Sequence, residues 1–272
     1  MTWKQSFWRS LQNHNPMFSF FNSFQSEWLK TRRSLASWLV VCGAFFTPLI
    51  LTVVRTVHYQ GLSKAIHTAK YWQMHWKNCW ESVAVFLLPL GAILASSLIT
   101  QIEYKNNSWK LLHTSPQQFS VIFFAKFSVI LLMMLLFLFL FNLGIYLSGI
   151  FPPLLRGIGY PDAKIDSSYF LKENLNYLIG CMPIISLQYL ISLQFKNFLV
   201  PVGSGIILWI LSIGMLSWKF AYWLPYGYLA MNFLRDKRNF APGVSFNSFS
   251  LGYFTLFLLL AYILYIQKKD KS

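Results

Sequence analysis

The run Phe119–Ile150 carries a single charge, Lys126 near its start, and is otherwise almost wholly apolar. It is longer than the about twenty residues that a helix needs to cross the hydrocarbon core of a bilayer. Inside hydrocarbon every backbone N–H and C=O must find a partner within the protein, so a run of this kind is a helix. Its first turns, with Lys126, are expected at the interface, and Asn142 and Gly144 are the breaks in its interior.

Five further runs repeat the pattern: Ser37–Val57 with Pro48 inside it, Ser82–Ile102 with Pro89 and Gly91, Tyr177–Leu193 with Pro183 and Gln188, Phe198–Leu216, and Phe249–Ile266. The fold class that follows is an all-α integral membrane protein of six transmembrane helices. Composition agrees: 56% of the 272 residues are hydrophobic and only 11% charged, against about a quarter charged in soluble domains. The net charge of +15 does not imply nucleic acid, because no recognition module is present. The Lys and Arg residues lie between the spans, where anionic headgroups attract them. Cys42 and Cys181 are expected to be small core residues, and with Cys79 they form no metal or disulfide pattern. No compact apolar region with a small-residue cleavage site occurs in the first thirty residues, so no cleaved signal is expected.

The chain divides into an N-terminal segment, residues 1–36, and a six-span transmembrane domain, residues 37–272. From Pro16, apolar residues recur at Met17, Phe21, Phe24 and Trp28, and Glu27, Lys30, Arg32 and Arg33 close the segment. That spacing predicts an interfacial helix with its basic end at the headgroups, bending into the first span. A second interfacial helix is expected over Leu62, Ala65, Ile66, Ala69, Trp72, Trp76 and Trp80, which share one helical face. His58, His67 and His75 do not share a face, so they read as surface histidines rather than metal ligands. Residues 217–248 read as a re-entrant or interfacial piece. Lysines and arginines are almost equally divided between the two sides. The Lys30-Arg32-Arg33 cluster before the first span favours an inside N-terminus, and six spans then return the C-terminus to the same side.

The chemistry of most enzyme and pump classes is absent. The eight acids lie in loops or at span edges, away from the membrane depth where ion-coupled transporters keep an ionisable group. No nucleophile with a base, and no G-x-x-x-x-G-K-[ST] loop, is present.

Between the second and third spans lies Glu103-Tyr104-Lys105-Asn106-Asn107-Ser108-Trp109-Lys110-Leu111-Leu112-His113-Thr114-Ser115-Pro116. Asn107 or Ser108 can cap a short helix, and Pro116 marks its end. This segment resembles the first cytoplasmic loop of ABC-2 type permeases, the membrane subunits of bacterial ABC exporters, particularly the branch linked to lantibiotic and bacteriocin immunity. Glu103, Lys105, Trp109, Lys110, Leu112 and Pro116 occupy the matching places, although Gln117-Gln118-Phe119 stands where the family commonly has a basic residue. Glu27-Trp28-Leu29-Lys30 with Arg32 and Arg33 resembles the family's elbow helix. The resemblance implies that Glu103–Pro116 is a coupling helix seated on a separate ATP-binding subunit, with Trp109 and Leu112 in its groove and Glu103 and Lys110 at the rim. Trp28, Lys30, Arg32 and Arg33 would anchor the elbow in membrane lipids. It also implies a second permease chain, as a homodimer or a related heterodimer, in the bacterial cytoplasmic membrane with both termini cytoplasmic. No cofactor is expected on this chain itself, because ATP and Mg belong to the partner ATPase. The cargo would be an amphipathic peptide or lipid-like molecule. Two other readings stay open at this stage: a non-transporting anchor or sensor of an ABC-type complex, and a membrane enzyme acting on lipid.

Overall fold

The computed structural model of the chain describes residues 16–105, 118–237 and 245–269. Among these, regular structure is helical: α1 Pro16–Thr31, α2 Leu35–Val57, α3 Leu62–Ile66, α4 Tyr71–Ser82, α5 Leu88–Lys105, α6 Phe119–Leu155, α7 Ser167–Gln194, α8 Leu199–Gly214, α9 Tyr228–Leu234 and α10 Phe246–Lys269. Among the described residues, five helices are long and apolar enough to cross a membrane: Leu35–Val57, Tyr71–Ile102, Phe119–Leu155, Ser167–Gln194 and Phe246–Gln267. The apolar helix α8 has 16 residues and is shorter than a full crossing.

Helices α5, α6 and α7 form the centre, with α2 and α1 packed on α6, α10 and α9 on α7, and α8 on α5. The outer helices α2 and α10 keep broad apolar faces exposed, including Trp38, Leu49 and Val53 on one and Leu259 and Ile263 on the other. In water such faces would aggregate; against lipid they are at home.

Prolines inside these helices explain much of the packing. A helical proline lacks an N–H, so the carbonyl four residues earlier loses its partner. Neighbouring side chains take up three of these carbonyls. Pro89 frees Val85 O, at a π-helical turn over Val83–Leu87 that joins α4 to α5, and the Trp209 indole donates to it at 3.1 Å. Pro153 frees Gly149 O, which accepts from Tyr71 Oη at 2.6 Å. Pro183 frees Ile179 O, which accepts from Ser250 Oγ. Each proline therefore marks a contact between helices, the usual way a bilayer tolerates it. Pro48 is seated differently. Its ring fills the space beside Gly144, where an added Cβ would stand 2.9 Å from Pro48 Cγ. Midway along the bundle, Gln188 donates to Ser97 Oγ at 2.8 Å and to Pro201 O at 2.5 Å, joining α5, α7 and α8. Tyr226 Oη donates to Gln188 Oε1 at 3.3 Å.

Several expectations need correction. The stretch 62–80 is not a second interfacial helix, because α4 runs through the π-helical turn into α5 and the span begins at Tyr71 rather than Ser82. Trp72, Trp76 and Trp80 are buried against protein, with Trp80 stacked on Tyr177 at 3.8 Å and edge-on to Phe141 at 5.1 Å. An aromatic stripe suits the interface and a protein groove equally, and here α6 and α7 supply the groove. His75 accordingly is no surface residue. It is fully buried, with Nε2 in hydrogen-bond contact with Ser148 Oγ at 2.9 Å and Ile145 O at 3.0 Å. Glu81 and Glu173 lie in helices, Glu81 next to the end of α4 and Glu173 about two turns into α7. Cys42 is exposed, since α2 lies at the edge of the bundle, whereas Cys181 is buried as expected. Within 217–237, Tyr226, Tyr228, Leu229 and Met231 are buried while Trp218, Phe220 and Trp223 stay exposed, an arrangement compatible with the re-entrant or interfacial expectation.

Candidate functional site

Helix α1 forms where the sequence places it, from Pro16 to Thr31. Two sides of it differ sharply. Met17, Phe18 and Phe21 are exposed, while Ser23, Glu27 and Thr31, spaced by four, are buried. The buried side of α1 thus carries polar residues, while Met17, Phe18 and Phe21 point away from the bundle.

Glu27 is the only acid before Glu81 in the sequence, and Lys126 is the one charge near the start of α6. The fold brings them together. Lys126 Nζ donates to Glu27 Oε2 at 2.6 Å, with the two side chains 3% and 6% exposed, and Lys30 Nζ donates to Glu27 Oε1 at 2.5 Å. Burial pushes the Glu27 carboxyl toward its neutral form, but the ammonium groups of Lys126 and Lys30 outweigh that and hold it below the ordinary carboxylate range. An enclosed carboxylate between two cations keeps its charge and fixes α1 to α6. Lys126, expected at the interface, is enclosed by protein and paired with Glu27. Its apolar neighbours gave no hint of a partner ninety-nine residues away.

The exit from α1 is equally specific. Thr31 O accepts from Ser34 N at 2.9 Å, Ser34 Oγ at 2.7 Å and Ser37 Oγ at 2.6 Å. Ser34 Oγ in turn accepts from Ala36 N at 3.2 Å, capping α2. These bonds set the bend, and Arg32 and Arg33 stand exposed on its outside. Trp28 is half-buried against the main core. Of the elbow residues chosen from sequence, Lys30 joins the Glu27 cluster, Trp28 packs, and Arg32 and Arg33 face outward. The residues that fasten the elbow, Glu27 and Lys126, were missed as a site. Two lone charges of opposite sign in otherwise uncharged helix faces were the available signal.

Of the coupling residues, Glu103 and Lys105 fall in the last turn of α5, described by backbone position. Trp109, Lys110, Leu112 and Pro116 lie outside the described residues. Lys126 lies two turns into α6, the helix that follows this segment. The elbow is therefore tied to the first turns after the segment rather than to a distant part of the bundle. The described residues contain no cluster of three or more His, Cys, Asp or Glu able to hold a metal.

No curated protein matches the chain. The family model described as "ABC-2 family transporter protein" matches residues 23–213, most of the chain, from within α1 through α8. With its long apolar helices, the chain belongs to the ABC-2 transporter family, multi-pass membrane subunits of ABC transporters that associate with an ATP-binding subunit.

Proposed function

We propose that the chain is the permease subunit of a bacterial ABC exporter, of the type found in peptide-immunity systems. In this reading α8 completes six crossings, both termini are cytoplasmic, and ATP with Mg is bound and hydrolysed on a separate chain. Glu103–Pro116 is the coupling helix, with Trp109 and Leu112 in the ATPase groove and Glu103, Lys105 and Lys110 around it. A second permease chain, identical or related, completes the pathway in the cytoplasmic membrane. The cargo is amphipathic, a peptide or a lipid-like molecule, because the spans offer apolar surface and few ionisable groups.

The observation that carries this reading is the Glu27–Lys126 junction. A coupling segment works only if its displacement moves the bundle as a body. The helix leaving the segment is fastened within two turns to the elbow, whose exposed Arg32 and Arg33 suit anionic headgroups. Force entering at the segment would be shared between α6 and a helix braced in the membrane. Replacing Trp109 by Ala should lower transport-stimulated ATP hydrolysis by the assembled transporter, with the amount of membrane-inserted chain unchanged. Unaltered stimulation would remove Trp109 from the coupling role.

A further inference from the structure

Glu81 is an exposed acid inside the crossing Tyr71–Ile102, and its neighbours on either side mark its depth. Ser82 Oγ meets Thr47 Oγ1 of α2 at 3.0 Å. Thr47 stands ten residues before Val57, the end of α2, which is about 15 Å along a helix. Between that level and the helix end, α2 exposes Leu49, Ile50, Val53 and Val54. Trp80, on the other side of Glu81, is stacked on Tyr177, ten residues past the start of α7. Glu81 therefore lies at a depth where the adjoining helix turns an aliphatic face outward.

Hydrocarbon does not solvate a carboxylate, and ionisable groups within membranes face water, an opposite charge or a ligand. The cations nearest in the fold are taken. Lys77, one turn before Glu81, donates to Asp236 at 2.6 Å, Arg55 donates to Tyr71 Oη at 3.2 Å, and Arg235 pairs with Glu173. Among the described residues, none forms an ion pair or a side-chain hydrogen bond with Glu81. The surface around it is also unlike that of the flanking helices. Met74, Asn78 and Ser82 follow one another at four-residue spacing with Glu81 beside them, and Phe86 lies one turn further on; all five are exposed. Phe86 is edge-on to Trp209 of α8 at 5.6 Å, and α8 itself turns Ile207, Ile210 and Leu211 outward. A face that mixes a carboxylate and an amide with apolar groups thus stands between two apolar ones.

We propose that Glu81 recognises the ammonium or guanidinium group of a cationic amphiphile, whose apolar part lies along Met74 and Phe86. An unpaired carboxylate at membrane depth selects a positive group, and the apolar surroundings favour an apolar body. A zwitterionic lipid is a poorer match, because its amine is tied to a phosphate at the headgroup level. The inference narrows the amphipathic cargo proposed above to a cationic one, and for that role it rests on the transport reading. Binding to the chain without ATP separates the two: failure there would sink the site alone, whereas unaltered stimulation in Trp109→Ala would sink the coupling role alone.

The test is photolabelling of the full chain in phosphatidylcholine nanodiscs with a dodecylammonium probe bearing a diazirine on its alkyl chain. The uncharged N-acetyl form of the probe serves as the comparison, and labelled peptides are mapped by mass spectrometry. The cationic probe should label α4 and the π-helical turn in preference to the exposed face of α10, and the uncharged form should show no such preference. Glu81→Gln should lower the preference about tenfold, while Glu81→Asp should retain it. The side chain is exposed, so both variants should fold, with melting temperatures matching the unaltered chain. Equal labelling by the two probes, or unchanged labelling in Glu81→Gln, would overturn the proposal. So would a carbodiimide cross-link joining Glu81 to a lysine of a second protein chain, because the carboxylate would then belong to a subunit interface.

Discussion

At the elbow end, one enclosed carboxylate, Glu27, is held by Lys126 and Lys30. At the opposite end, many lighter ties join the connecting segments. His67 pairs with Asp162 at 2.6 Å, both more than half exposed, and Lys77 pairs with Asp236 at 2.6 Å. Arg235 reaches Glu173, and Arg156 Nε donates to Thr56 O at 2.9 Å. Solvent-facing pairs are each worth little because water and ions screen them. A buried pair behaves otherwise: removing one partner strands a charge in a place that cannot solvate it. The exposed ties of the far end are thus individually dispensable, whereas its buried carboxylate Glu173, 8% exposed, depends on the half-exposed Arg235. The α1 end depends on one junction, two turns into the helix that follows the segment proposed to receive the ATPase.

The largest effect should come from that junction. Lys126→Met leaves Glu27 with Lys30 alone and should cost about 3–5 kcal/mol, read as a lowered thermal midpoint of the purified protein in detergent. Glu27→Leu combined with Lys126→Met should recover most of the loss. If both variants melt like the unaltered chain, the junction bears no weight and the contrast between the ends fails. The same carboxylate predicts a pH signature. Its folded-state pKa lies below the ordinary value of 4.5, so its contribution is present above that value. The contribution fades as pH falls below 4.5 and through the folded value. Glu27→Gln should flatten this acid limb of the stability curve.

Next in size is the middle of the bundle. A Cβ at Gly205 would stand 2.6 Å from Gln188 Oε1 and 2.7 Å from Ile93 Cγ2. Gly205→Ala should therefore cost about 1–3 kcal/mol through overpacking, again as a drop in melting temperature. Ser250→Ala, which strips the donor from Ile179 O, should cost about 0.6 kcal/mol, the average for such bonds between membrane helices. The smallest effect belongs to the far end, where His67→Ala should change stability by less than about 0.5 kcal/mol. A loss there matching that of Lys126→Met would erase the distinction.

Much of this architecture could be read from the chain. Apolar runs located the long helices, and the helix from Pro16 to Thr31 follows from its spacing. Pro48, Pro89 and Pro183 were visible as irregularities, yet nothing near them named Trp209 or Ser250 as the donor to a freed carbonyl. Periodicity tells which residues share a face but not what covers it. The stripe Trp72-Trp76-Trp80 looked like a lipid-facing surface because lipid and a protein groove reward the same side chains. Cys42 failed in the opposite sense: a small apolar residue in an apolar helix is as comfortable against lipid as in a core. Glu27 and Lys126 were each legible as charges. Their pairing depends on how α1 lies across α6, which only tertiary structure decides. The proposed coupling residues Trp109, Lys110, Leu112 and Pro116 lie outside the described residues.

The most direct measurement is a gentle purification of the chain from its native membranes, with identification of the co-purifying proteins and an assay of ATP hydrolysis. The account predicts a stoichiometric partner carrying a phosphate-loop motif, lost when Trp109 and Leu112 are both replaced by Asp and retained in His67→Ala. A chain that purifies without an ATPase, or one whose ATPase stays bound despite both replacements, would contradict it.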